Sequence, residues 1–319
     1  MENGLSANNN RLDYIDIARA IGLILVIISH SVCPQYMFFS YQFFIPLFFI
    51  LTGYTFTKFS IQKKVIRLLV PYSIFNILII GIMWVSGIKE ISMENIVGVL
   101  YSRYSIYPDK IILMNIGNSP TWFLTAMFVS FCLLYPLIKY PQYNIITIIV
   151  YFAITYILTL CPILLPWSID TAFILSIFIY IGILIKRSNI LHLKWYMYII
   201  ALALYTITAI LNGDTNISIR EYGSSVILLL IGGTIGSILT IKLSMLVEDC
   251  FINQALVGIG RNSLVIFCIQ FPFLFITEKA CAFIGIENDS IITTMQLVFT
   301  LVAGYYTSKL LHIVFPKIF

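Results

Sequence analysis

Apolar runs of roughly 17 to 25 residues recur along this chain almost to its last residue, and runs long enough to cross a bilayer leave a polypeptide few folds. In hydrocarbon every backbone N–H and C=O must be satisfied inside the protein, so only helices and closed barrels span it. A barrel strand alternates polar and apolar positions, whereas "VIRLLVPYSIFNILIIGIMWV" is apolar on nearly every face. The chain is therefore read as all-α, a polytopic transmembrane helical bundle. Composition agrees: 60% of the 319 residues are hydrophobic, 10% are charged and the mean hydropathy is +0.97, where a soluble domain carries about 25% charged residues. A soluble globular enzyme is excluded. The formal charge of +5 is dispersed over loops without a block of like charges, so no nucleic-acid ligand is expected. Six cysteines lack CxxC spacing and read as small hydrophobes, with no metal site expected.

Windows of about 19 residues predict about ten spans, near 15–33, 41–57, 65–85, 121–138, 145–160, 169–185, 195–211, 223–241, 256–276 and 291–313. Residues 1–14 read as a polar cytoplasmic tail and 15–319 as a single transmembrane domain, with 86–120 the one long polar interval. With the amino terminus inside, twelve Lys and Arg fall on inner segments against five on outer ones (Lys89, Arg103, Lys110, Arg220 and Lys279), Arg19 and Arg261 lying within spans. That asymmetry predicts both termini in the cytoplasm. Asp16 and Arg19 interrupt the first apolar stretch, which reads as a retained helix rather than a cleaved signal peptide.

Asp16, Arg19 and His30 need a reason to sit in that first helix, since an Asp or Arg at depth costs roughly 2.5 to 3.5 kcal/mol. At about 100° per residue the three fall within an arc of about 60°, and Arg19 and His30 lie about 16 Å apart along the axis, with Leu23, Val26 and Ile27 between them. By spacing alone, an orientation charge plus an interfacial histidine explains this as well as a polar path does.

Further motifs add to it. "YIDIARAIGLILVIISHSV" resembles the first helix of membrane-bound acyltransferase family 3, whose hallmark is an Arg and a His with ten residues between them, matched by Arg19 and His30. "FFIPLFFILTGYTF" resembles the second helix of its fucose 4-O-acetylase-like branch. "KKVIRLLVPY", "PTWFLTAMF", "LPWSIDTAFILSIFIYIGILIK" and "GIGRNSLVIFCIQFP" are similar to later family segments, in family order. Three positions depart from the pattern: Phe44 and Gln270 stand where the branch often has histidines, and Lys64 stands for the first Arg of an Arg-x-x-Arg pair. Lys64 keeps the charge but lacks the planar fork suited to phosphate.

The resemblance implies an integral membrane O-acyltransferase, acetyl-CoA dependent and metal-free, in a bacterial inner membrane. It would move an acyl group, usually acetyl, from cytoplasmic acyl-CoA to a hydroxyl of a surface glycan or lipid-linked sugar. His30 is the candidate general base, since a neutral imidazole accepts a hydroxyl proton at physiological pH, with Arg19 and Asp16 beside it in the candidate catalytic set. Lys64 and Arg67 are candidate donor contacts, as are Arg261 and Asn262, which follow Gly258 and Gly260 and would open a helix toward an anion. Trp122 and Gln270 are candidate substrate contacts, although Trp122 and Phe123 equally suit an interfacial belt. Tyr101, Tyr104 and Tyr107 fit either an interfacial amphipathic helix or an acceptor platform. A transporter or flippase for a glycan precursor is the alternative, weakened by the lack of inverted repeats. Membrane lipids are the expected surroundings, and the oligomeric state, a homo-oligomer included, stays open.

Overall fold

The computed structural model describes residues 12–33, 39–85 and 92–316. Most of the polar tail, the start of the long polar interval, and Arg11, Lys89 and Lys317 of the charge tally lie outside the described residues. The helices are α1 (Asp13–Ser29), α2 (Phe44–Tyr54), α3 (Ile61–Lys64), α4 (Val70–Val85), α5 (Met93–Tyr101), α6 (Trp122–Lys139), α7 (Asn144–Thr159), α8 (Ile169–Arg187), α9 (Trp195–Asn212), α10 (Val226–Val247), α11 (Asn253–Arg261), α12 (Ser263–Phe283) and α13 (Asp289–Val314). A π-helical turn, Val65–Leu69, joins α3 to α4.

Eight helical stretches among the described residues are long and apolar enough to cross a membrane. The other two expected spans are shorter: α1 has 17 residues and α2 only 11. At 1.5 Å per residue α2 covers roughly 16 Å, about half a hydrocarbon layer. The expected span at 256–276 divides. Its first part belongs to α11, which ends at Arg261 and packs across α1, and the crossing helix is α12, starting at Ser263.

Helix α8 is the hub: 72% of its apolar window is buried, against 11% for α7. It packs against α2 and α6, while α1 packs against α2, α10, α11 and α12. The α2–α8 crossing is tight enough that a Cβ on Gly53 would lie 1.8 Å from the Ile179 carbonyl oxygen, and one on Gly182 2.0 Å from that of Ile50. Backbone against backbone is how helices associate where lipid offers no hydrophobic drive. Ser308 Oγ donates to Asn262 Oδ1 at 2.6 Å. The closing turns of α13 thus lie beside α11, at the same end of the bundle as the start of α1.

At the opposite end three loops are bound together by a buried ion cluster. Asp170, fully buried, accepts from Arg103 Nη2 at 3.1 Å and lies 3.3 Å from Arg220 Nε. Arg103 also donates to Ser168 Oγ at 2.7 Å. Arg220, in a left-handed conformation (φ 64°), donates to the carbonyls of Leu158, Cys161 and Ile163. Burial works against the Arg103 charge, and Asp170 opposes that effect. Arg103 and Arg220 looked like ordinary loop cations in the sequence; here they tie residues 102–118, 160–168 and 213–225 into one unit.

Candidate active site

Helix α11 approaches α1 so closely that a Cβ on Gly260 would sit 1.8 Å from the Asp16 carbonyl oxygen. Gly258 and Gly260 are therefore helical packing positions within α11, not the anion-cradling loop expected. The approach brings Arg261 to the acids of α1: Nη2 donates to Asp13 Oδ1 at 2.9 Å and Nε to Asp16 Oδ2 at 3.4 Å. Asp16, 1% exposed, also accepts from Arg19 Nη1 at 2.7 Å. The Asp16–Arg19 pair is formed, and Arg261 joins it from 245 residues away. Asn262 spends its side chain on structure, donating to the Gly258 carbonyl at 2.7 Å and accepting from Ser308.

Lys64 and Arg67 lie at the same end. The Ser60 side chain caps α3 by accepting from the Lys63 N–H at 3.4 Å, and the π-helical turn that carries Arg67 follows at once. The Lys64 ammonium sits 4.7 Å from the centroid of the Phe131 ring. Arg67 and Arg19 are the like charges that act on it. Three cations from α1, α3 and the π-turn thus lie close enough to act on one another, Arg19 of them paired with the buried Asp16, while Lys63 is exposed.

His30 terminates α1, its N–H bonded to the Ile27 carbonyl at 3.2 Å. Its imidazole lies against Phe271 of α12, ring centroids 5.0 Å apart, and opens into a cavity of about 580 Å³. Trp122 and Phe44 line the same cavity, as do Tyr41, Phe267 and the 214–219 segment. Tyr104 and Tyr107 belong to it as well, but not from one amphipathic helix: α5 stops at Tyr101 because Ser102 turns left-handed (φ 56°), and the Tyr101 hydroxyl bonds the Leu164 carbonyl at 2.5 Å. Ser119 and Pro120 form a 3₁₀ turn before Trp122 rather than a side-chain cap. Gln270 is fully buried, and neither end of its amide has a hydrogen-bond partner among the described residues.

The face shared by Asp16, Arg19 and His30 does not form one continuous polar path. The cavity that holds His30 contains neither Asp16 nor Arg19, because Leu23, Val26 and Ile27, at most 1% exposed, fill the interval. The charged end and the imidazole end of α1 are separate sites joined by a packed interval about 16 Å long. Sequence reading missed the Arg261 contact, the Arg103–Asp170–Arg220 cluster and the 214–221 wall. All depend on loops meeting across long sequence separations, and only the i, i+3 spacing of Asp16 and Arg19 was visible locally.

A family model described as an acyltransferase domain matches residues 12–311. No curated protein and no solved structure matches the chain.

Proposed function

Since the chain belongs to membrane acyltransferase family 3, whose model spans residues 12–311, we propose that it transfers an acetyl group from cytoplasmic acetyl-CoA to a hydroxyl of a surface glycan or of its lipid-linked precursor. The observation that carries this reading is His30, open to a cavity at one end of α1 while Arg19, Lys64 and Arg67 gather at the other.

The two ends suit two substrates. A CoA nucleotide carries phosphates, and clustered cations are its natural complement. Asp16, itself anchored by Arg261, holds the Arg19 guanidinium in place, and Asn262, engaged with Gly258 and Ser308, is a spacer. The neutral His30 imidazole takes the proton of the acceptor hydroxyl as its oxygen attacks the thioester carbonyl. Collapse of the tetrahedral intermediate breaks the C–S bond, and the imidazolium returns the proton to the leaving thiolate, giving the O-acetyl ester and CoA thiol. Trp122, which lines the same cavity as His30, positions the acceptor. Gln270 keeps an unsatisfied buried amide but does not line the His30 cavity, so its contact with the acyl carbonyl depends on the donor arm entering the packed interior. The thioester reaches His30 when the packed interval of Leu23, Val26 and Ile27 opens, so donor binding and helix separation are coupled.

Purified protein supplied with labelled acetyl-CoA and a glycan acceptor tests this. Wild type should form an O-acetyl product, and His30→Ala, inserted and folded to the same level, should lose it by at least about 10²-fold, the usual scale of general-base contributions. Near-normal transfer by His30→Ala removes His30 from the chemistry.

A further inference from the structure

The charges that line the His30 cavity are negative. Among the described residues no Lys or Arg lines it, while its 214–221 wall carries Asp214 and Glu221. That wall is a hairpin closed by Asn216 N donating to the Glu221 carbonyl at 2.7 Å and Glu221 N to the Asn216 carbonyl at 3.0 Å. Lys110 lies 4.0 Å from Glu221 and 3.2 Å from Asp109, so Glu221 is partly offset. No cation among the described residues pairs with Asp214. The arginines on the loops that frame the cavity face away from it: Arg103 and Arg220, 1% and 2% exposed, are held by Asp170 and by neighbouring hydroxyl and carbonyl groups. Tyr41, Tyr104, Tyr107 and Trp122 supply aromatic faces, and about 580 Å³ suits a small hydroxylated ligand.

We propose that this cavity takes a sugar moiety that is uncharged or bears an amine and turns away phosphorylated or carboxylated ones, with Asp214 as the discriminating side chain. The inference rests on reading the cavity as the acceptor site. An anion entering it leaves water to lie beside a carboxylate with no counter-cation, and like-charge juxtaposition is how sites exclude wrong partners. The buried Arg103–Asp170–Arg220 cluster contributes twice. It keeps two guanidiniums out of the cavity, and it fixes the hairpin that presents Asp214.

Equilibrium binding of radiolabelled methyl glucoside, methyl glucosaminide and methyl glucuronide to the full-length protein in detergent tests the proposal without needing turnover. Wild type should bind the first two at least about tenfold more tightly than the glucuronide. Asp214→Asn should narrow the gap to about threefold, and Asp214→Lys should reverse it. A glucuronide bound as tightly as the glucoside by wild type, a gap unchanged across the variants, or no binding of any glycoside overturns the proposal. Should both variants fail to fold, wild type at low and high salt decides: a gap that shrinks with salt supports the role of charge, and a salt-independent gap rejects it. Acyl transfer to neutral and anionic sugars alike would sink this inference and leave the proposed function standing. Charge-selective binding with no acyl transfer would do the reverse.

Discussion

Single residues divide between the two ends of α1. Asp16 is almost fully buried, and the guanidiniums of Arg19 and Arg261 both reach it, supplying the polar partners a buried carboxylate requires. Arg67 stands differently: it is exposed on a π-helical turn, where the widened backbone presents a side chain at the edge of the bundle. If Arg67 meets a donor phosphate, Arg67→Gln should raise the apparent KM for acetyl-CoA about tenfold and leave the acceptor KM within about twofold. Steady-state kinetics with each substrate varied in turn checks this, and an unchanged donor KM would assign Arg67 to topology. The Asp16–Arg19 pair was legible because both residues lie one turn apart on one helix. The third member, Arg261, was not, since nothing local in "GIGRNS" says which helix Gly260 will touch.

Elements follow the apolar pattern closely, with two informative exceptions. Span 256–276 divides because Asn262 accepts from Ser308 and donates to Gly258, fixing a break between α11 and α12 that a window average cannot register. Helix α2 has 11 residues where the expected span has 17, and close packing on α8 rather than length holds it in place. A side chain at that crossing has nowhere to go, so Gly182→Leu should be worse than an ordinary overpacked core site, which costs roughly 1 to 3 kcal/mol. The expected result is loss of most folded protein in a detergent-stability assay, whereas Gly81→Leu, with open space around its Cα, should be tolerated. Comparable yields for the two variants would show that the α2–α8 contact yields easily.

The molecule as a whole is two chemically distinct ends separated by a packed middle. Binding the three loops at the His30 end depends on Asp170, whose loss leaves two buried arginines without a counter-ion. Breaking a buried pair in this way costs roughly 3 to 5 kcal/mol. Asp170→Asn should therefore lower the unfolding free energy in detergent by about that amount and speed proteolysis within 213–225. Acetyl-CoA affinity should persist, because the cation cluster lies at the far end of α1. Equal losses of donor affinity and loop protection would mean that the two ends are not independent.

The class of fold is set by the sequence alone. Backbone groups in hydrocarbon must be satisfied locally, so long apolar runs become helices whatever their neighbours, and "VIRLLVPYSIFNILIIGIMWV" has no other stable form in a bilayer. The family is legible for a related reason: its motifs are short stretches whose spacing reflects helix periodicity, as from Arg19 to His30. Tertiary structure alone decided what surrounds those residues. Whether the face between Arg19 and His30 is a path or a packed seam depends on how Leu23, Val26 and Ile27 meet other helices. Whether Arg103 and Arg220 face a substrate or a buried carboxylate depends on Asp170, some fifty to seventy residues from either. Such contacts form between segments far apart in the chain, and helix periodicity carries no information about partners at that distance.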